Sequence, residues 1–155
     1  MKSILILIML LLLIGCEAFD NRLNIFNNTD KKIRYYYEVK ENNDTFPNLK
    51  NCNDYCFNSV LPNGSGKLQI SEPWENYLKE KPNQVLIVYI INEDTFLKYR
   101  TTELINGQIV KFKHDSLHNY SMCEVFKKHL FIKQYYFTYD SLVKLNWKII
   151  YNDKQ

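Results

Sequence analysis

The sequence predicts a mainly β fold, an antiparallel β-sandwich of about seven or eight short strands with two or three short helices. Three features point there. The chain is rich in Tyr (12) and Phe (9), residues that suit a pleated, half-buried surface. Residues 84–91 form an unbroken, largely β-branched run, the pattern of a strand buried on both faces. The remaining apolar segments are short and separated by polar turn clusters, with no strand–helix–strand unit long enough for a parallel sheet.

Taken in order, residues 22–27 read as a strand, and Asn27-Asn28-Thr29-Asp30 follows as a turn. Residues 31–40 alternate, with Ile33, Tyr35, Tyr37 and Val39 on one face and Arg34, Tyr36, Glu38 and Lys40 on the other. That is a half-buried strand, and the two segments are expected to form a hairpin. Residues 41–58 are polar and read as a long loop. Val60-Leu61 starts a short strand, Pro62-Asn63-Gly64-Ser65-Gly66 makes a turn, and residues 67–70 are the expected partner. Residues 73–78 open on a proline and carry apolar residues at helical spacing.

After the central run, Asn92 is placed to cap a helical turn over residues 93–97. Residues 102–105 read as another helical turn, ended by Asn106-Gly107. Residues 109–113 read as strand, 114–121 as a polar segment, and 124–136 mainly as strand. Residues 139–145 read as a short helix capped by Thr138 or Asp140. Residues 147–151 close the chain as a strand with Trp147, Ile149 and Tyr151 on one face. No internal repeat is present in the sequence.

The first residues carry an address. Lys2 precedes an apolar run over residues 4–14, within the roughly 7–15 residues of a secretory signal core and short of the about 20 needed to span a bilayer. The run ends in Leu13-Ile14-Gly15-Cys16, which resembles the bacterial lipobox. In such signals a peptidase cuts before the cysteine, whose sulfur carries a diacylglycerol. Expected boundaries are therefore a removed signal over residues 1–15, a lipidated Cys16 with a tether over residues 16–21, and one sandwich domain over residues 22–155. Two acyl chains hold a protein stably on a membrane. A tether of five residues reaches at most roughly 17 Å.

The formal charge is +3 and falls to +2 once Lys2 leaves, which is no nucleic-acid footprint. Cys52, Cys56 and Cys123 remain. Export permits oxidation, so these are disulfide candidates with the pairing open; the alternative is that all three are small buried residues.

Candidate chemistry is sparse. His114 and His118, with Cys52 and Cys56, supply metal-ligating types but at a sequence separation far from that of zinc sites, so no metal and no cofactor is expected. Ser116, Ser121 and Cys123 lie near those histidines without a nucleophile-elbow context. Tyr36 and Trp74 are candidates for ligand contact through an aromatic platform; the alternative places them in the core. Lys127-Lys128-His129 is a small basic run suited to solvent or to an anionic headgroup layer.

The segments 23–29 (Leu-Asn-Ile-Phe-Asn-Asn-Thr), Pro73-Trp74-Glu75, Asp94-Thr95 leading to Lys98-Tyr99, and 142–151 (Leu-Val-Lys-Leu-Asn-Trp-Lys-Ile-Ile-Tyr) carry a resemblance. The chain resembles small uncharacterised lipoproteins of Bacteroides-type bacteria. The resemblance implies envelope lipidation and a β-rich domain, and it implies no activity. Such bacteria O-glycosylate exported proteins at Asp-Ser/Thr-aliphatic triplets; Ser116 and Ser141 sit in triplets of that form, and for Ser141 a helix cap is the competing role.

The expectation is a non-enzymatic envelope lipoprotein, a binding or structural accessory module held at the outer membrane by Cys16, with the periplasmic or surface face open. Its partners would be the membrane and an envelope protein or glycan, and no nucleic acid. The alternatives are a glycan- or peptide-binding surface lipoprotein using exposed aromatics, and a small exported hydrolase.

Overall fold

A computed structural model describes residues 19–41, 57–100, 102–105, 108–111 and 122–153. The fold is mainly β. Strands β1 (Asp20–Asn27), β2 (Ile33–Glu41), β3 (Asn58–Val60), β4 (Ser65–Ile70), β5 (Gln84–Asn92), β8 (Lys133–Phe137) and β9 (Lys148–Tyr151) form two sheets, and β6 (Thr102–Ile105) pairs with β7 (Gln108–Lys111). The sheet orders are β4-β1-β9 and β3-β2-β5-β8. All pairings are antiparallel except β1 with β9, the strands nearest the two chain ends, which run parallel. Four helical segments accompany them: α1 (Glu75–Lys79, a single π-type turn), α2 (Glu93–Tyr99), α3 (Met122–Lys127) and α4 (Tyr139–Lys144).

The expected hairpin between the first two strands does not form. β1 and β2 belong to different sheets and face each other across the core, which Leu23, Ile25, Ile33 and Tyr35 all enter. An alternating pattern tells which residues point inward, but it is the same whether two strands lie side by side or face to face. Asn27 sets the second arrangement. Its buried side-chain amide donates to Lys31 O at 2.7 Å and Leu61 O at 3.1 Å, and its Oδ1 accepts from Thr29 N and Oγ1. The same applies to β3 and β4, which pair with β2 and β1 rather than with each other. Their connection turns at Pro62-Asn63, where Asn63 has φ 53° and Gly64 N donates to Leu61 O at 3.0 Å, as in a type II turn.

β5 is the central strand, buried along nearly its whole length and flanked by β2 and β8. One face of its sheet closes the inner core with Leu86, Val88 and Ile90. The other face carries Val85, Ile87, Tyr89 and Ile91 against α2 and α3, where Phe96, Tyr99, Val125 and Phe126 pack. β2 is therefore covered on both faces and is not half-buried: Tyr36 is only 8% exposed. Asn92 caps α2, its Oδ1 accepting from Thr95 N at 2.6 Å, and Thr138 caps α4 through Ser141 N.

Two further expectations change. Residues 102–105 are strand β6, because Asn106-Gly107 separates two segments in register from Thr102↔Lys111 to Ile105↔Gln108, and Asn-Gly is a strong hairpin signal as well as a helix terminator. The first part of 124–136 is helix α3, whose Met122, Val125 and Phe126 fall at helical spacing on the second core.

Candidate functional site

Tyr36 and Trp74, the two rings suggested for a ligand platform, are core residues. Tyr36 packs against Phe57, Tyr89 and Phe126 at centroid distances of 5.5, 6.0 and 5.4 Å. Trp74 is fully buried in the inner core, and its backbone N–H donates to Asp20 Oδ2 at 3.1 Å. Neither ring can present a face to a ligand, because both apolar surfaces are already covered by neighbouring side chains. Ser141 Oγ donates to Thr138 O at 2.8 Å within the α4 cap. Cys123 lies half-buried on α3. Gly15, Cys16, Cys52, Cys56, His114, Ser116 and His118 lie outside the described residues. Among the described residues, no group of three His, Cys, Asp or Glu side chains is placed to hold a metal ion.

Three charged clusters lie on or against the strands among the described residues, besides the pairs that Glu124 makes with Lys127 and Lys128 on α3. At the start of β1, Arg22 makes a bidentate contact with Glu75 (3.0 and 2.6 Å), binds Asp20 at 2.6 Å, and stacks 4.4 Å over the Trp147 ring. Burial works to raise the Asp20 carboxyl, but the Arg22 guanidinium and the Trp74 N–H hold it below the usual range. Arg22 likewise lowers Glu75, which also accepts from Tyr139 Oη at 3.2 Å. This knot joins the start of β1 to α1 and α4. Second, Glu93 bridges Lys32 and Arg34. Third, Lys40 Nζ is buried 3.3 Å from Glu38 Oε1 without hydrogen-bond geometry, while Tyr36 and Tyr89 hydroxyls donate to the same carboxylate at 3.3 and 3.4 Å. A buried ion pair of this kind adds little net stability, because the desolvation of both charges offsets their attraction.

One region with room for a ligand is the edge of the sandwich where β8 and β9, each the last strand of its sheet, lie opposite each other; a second, of about 410 Å³, lies between β2, the end of β4 and α1, with Tyr37, Val39, Ile70 and Tyr77 among its walls. A groove of about 490 Å³ runs between β8 and β9, with Tyr135 and Phe137 on one wall, Ile149 and Ile150 on the other, and Lys144, Leu145, Asn146 and Lys148 at its end and rim. Tyr135 Oη spans it to Ile150 O at 3.5 Å. Ile150 is 49% exposed and Leu145 45%. The groove's entry is set by the turn after α4, where Asn146 and Trp147 both take left-handed backbone conformations with φ 52° and 58°; for a tryptophan this costs about 1–2 kcal/mol.

The lining is aliphatic and aromatic with two ammonium groups and one amide, and it holds no carboxylate. Such a set favours binding by burial and charge attraction. Sequence alternation missed this place because it named only the inward face of 147–151. The available signal was the other face: Lys148 and Ile150, a lysine beside an apolar residue, mark an edge strand that is guarded but incompletely covered.

No protein-family model, no curated protein and no solved structure matches the chain.

Proposed function

We propose that this protein is a lipid-tethered envelope lipoprotein whose β domain acts as a non-enzymatic binding or structural accessory module. The observation that carries it is the Leu13-Ile14-Gly15-Cys16 end of the apolar run, with only three residues between Cys16 and Asp20, the first residue of β1. The four Cα steps from Cys16 to Asp20 span at most about 14 Å, so a domain anchored at Cys16 stays against its bilayer. The Arg22 knot supports the same picture, since it pins the first strand to α1 and α4 at the point where a tether would pull. No helix among the described residues is long and apolar enough to cross a membrane. The outer membrane is the proposed location.

Metabolic labelling with palmitate is the test. The wild-type chain should incorporate label and partition with membranes, and Cys16→Ser should lose both. Label retained in Cys16→Ser would overturn the anchor. A purified protein that turned over glycan, peptide or ester substrates would overturn the accessory role. Protease digestion of intact against lysed cells then tells the surface face from the periplasmic one.

A further inference from the structure

We infer that the β8–β9 edge is a strand-addition site that takes an extended, acidic segment of an envelope partner protein. This deepens the binding role proposed above and rests on it.

The backbone of β9 supports the inference first. Asn24 N donates to Trp147 O and Asn28 N to Tyr151 O, both at 2.9 Å, in a parallel register of Asn24 with Lys148 and Asn27 with Tyr151. In a strand the peptide groups of alternate residues face opposite sides. With Trp147, Ile149 and Tyr151 facing β1, the main-chain groups of Lys148 and Ile150 face the open edge. Lys148 N is taken by Leu145 O at 3.1 Å, which leaves the Ile150 N–H and the Lys148 carbonyl as the donor and acceptor an added strand would use.

The side chains support it next. The groove beside this edge, about 490 Å³, has Tyr135 and the half-exposed Leu145 and Ile150 along it, above the buried Phe137 and Ile149, so an inward-pointing side chain of the incoming strand would meet apolar surface. Its rim carries Lys144 and Lys148, which make no ion pair among the described residues, while the arginines of β1 and β2 and Lys32 are all paired with carboxylates. Two unpaired lysines beside an apolar groove are complementary to a strand that alternates apolar and acidic residues. Main-chain bonds with alternate side-chain pockets are the general mode of strand addition.

The test uses the lipidated protein in lipid nanodiscs with three probes: a capped hexapeptide alternating Val and Glu, its counterpart alternating Val and Lys, and decanoate. The expected result is binding of the Val/Glu peptide in preference to the Val/Lys peptide, with slowed amide exchange at Ile150. K144E/K148E should weaken Val/Glu binding about tenfold or more and reverse the preference, with the circular dichroism spectrum unchanged. Ile150→Pro removes the edge donor while leaving the β1-facing bonds in place, and should abolish binding. Equal binding of both peptides, Val/Glu binding unchanged in K144E/K148E, an unaltered Ile150 amide, or binding of decanoate alone would each overturn the site. Peptide binding by a chain that palmitate does not label would support the site and overturn only the tether; a labelled chain that binds neither peptide would overturn only the site.

Discussion

The two edges of the sandwich are built on opposite principles. At one edge the chain crosses between the sheets twice, from β1 to β2 and from β3 to β4, and Asn27 laces the crossings together through Lys31 O and Leu61 O while its own N–H donates to Gly64 O at 2.9 Å. Gly66 completes the closure: a Cβ there would lie 2.9 Å from Val60 Cγ2 and 3.0 Å from the Tyr35 hydroxyl. At the other edge β8 and β9 have no covalent crossing except through α4; they share the inner core through Phe137, Ile149 and Tyr151, and among the described residues the hydrogen bond between them is the long one from Tyr135 Oη to Ile150 O. The closed edge is dense and polar-satisfied; the open edge is apolar, roomy and rimmed by lysines. The first is expected to carry more of the stability, and the second is where the proposed binding site lies.

Substitutions sharpen this contrast. The largest effect is expected for Asn27→Ala, which strands buried carbonyls and the Thr29 hydroxyl; it should cost about 3 kcal/mol in a urea titration. Gly66→Val should cost about 2 kcal/mol by overpacking Val60 and Tyr35, read as a lowered thermal midpoint. Acid acts on the knot at the start of β1. Asp20 and Glu75 have carboxyl pKa values lowered in the folded state, so their contribution is present above the unfolded carboxylate values and is lost as pH falls through the folded ones. Thermal midpoints should therefore drop from about pH 4 downward, and Arg22→Met should flatten that dependence. The smallest effect is expected at the open edge: Ile150→Thr should stay within about 0.5 kcal/mol of wild type. If Ile150→Thr destabilised as much as Asn27→Ala, the open edge would be part of the packed core and the contrast would fail.

The same contrast separates what was legible in the sequence from what was not. The central strand was plain, since an unbroken apolar run over 84–91 admits few other fates, and β5 is buried along nearly its whole length. The cap at Asn92 was legible, and Thr138 was one of two candidates for the cap of α4, because caps depend on side-chain bonds within a few residues. Strand pairing was not: β1 and β2 carry the expected inward residues but face each other instead of pairing. Nor was the fate of Tyr36. Its alternation sets it opposite Tyr35, yet α3 and Phe57 cover that second face from distant parts of the chain.

The sequence alone therefore determined the mainly β class, the inward residues of the strands and the local helix caps, all of which follow from periodicities and bonds spanning a few residues. Only the tertiary structure decided which strands pair, that a helical layer makes β2 two-faced, and that β8 and β9 leave a lysine-rimmed groove between them. Those outcomes depend on which distant segments meet, and side-chain alternation is identical for a strand beside its neighbour, a strand across the core, and a strand at an open edge.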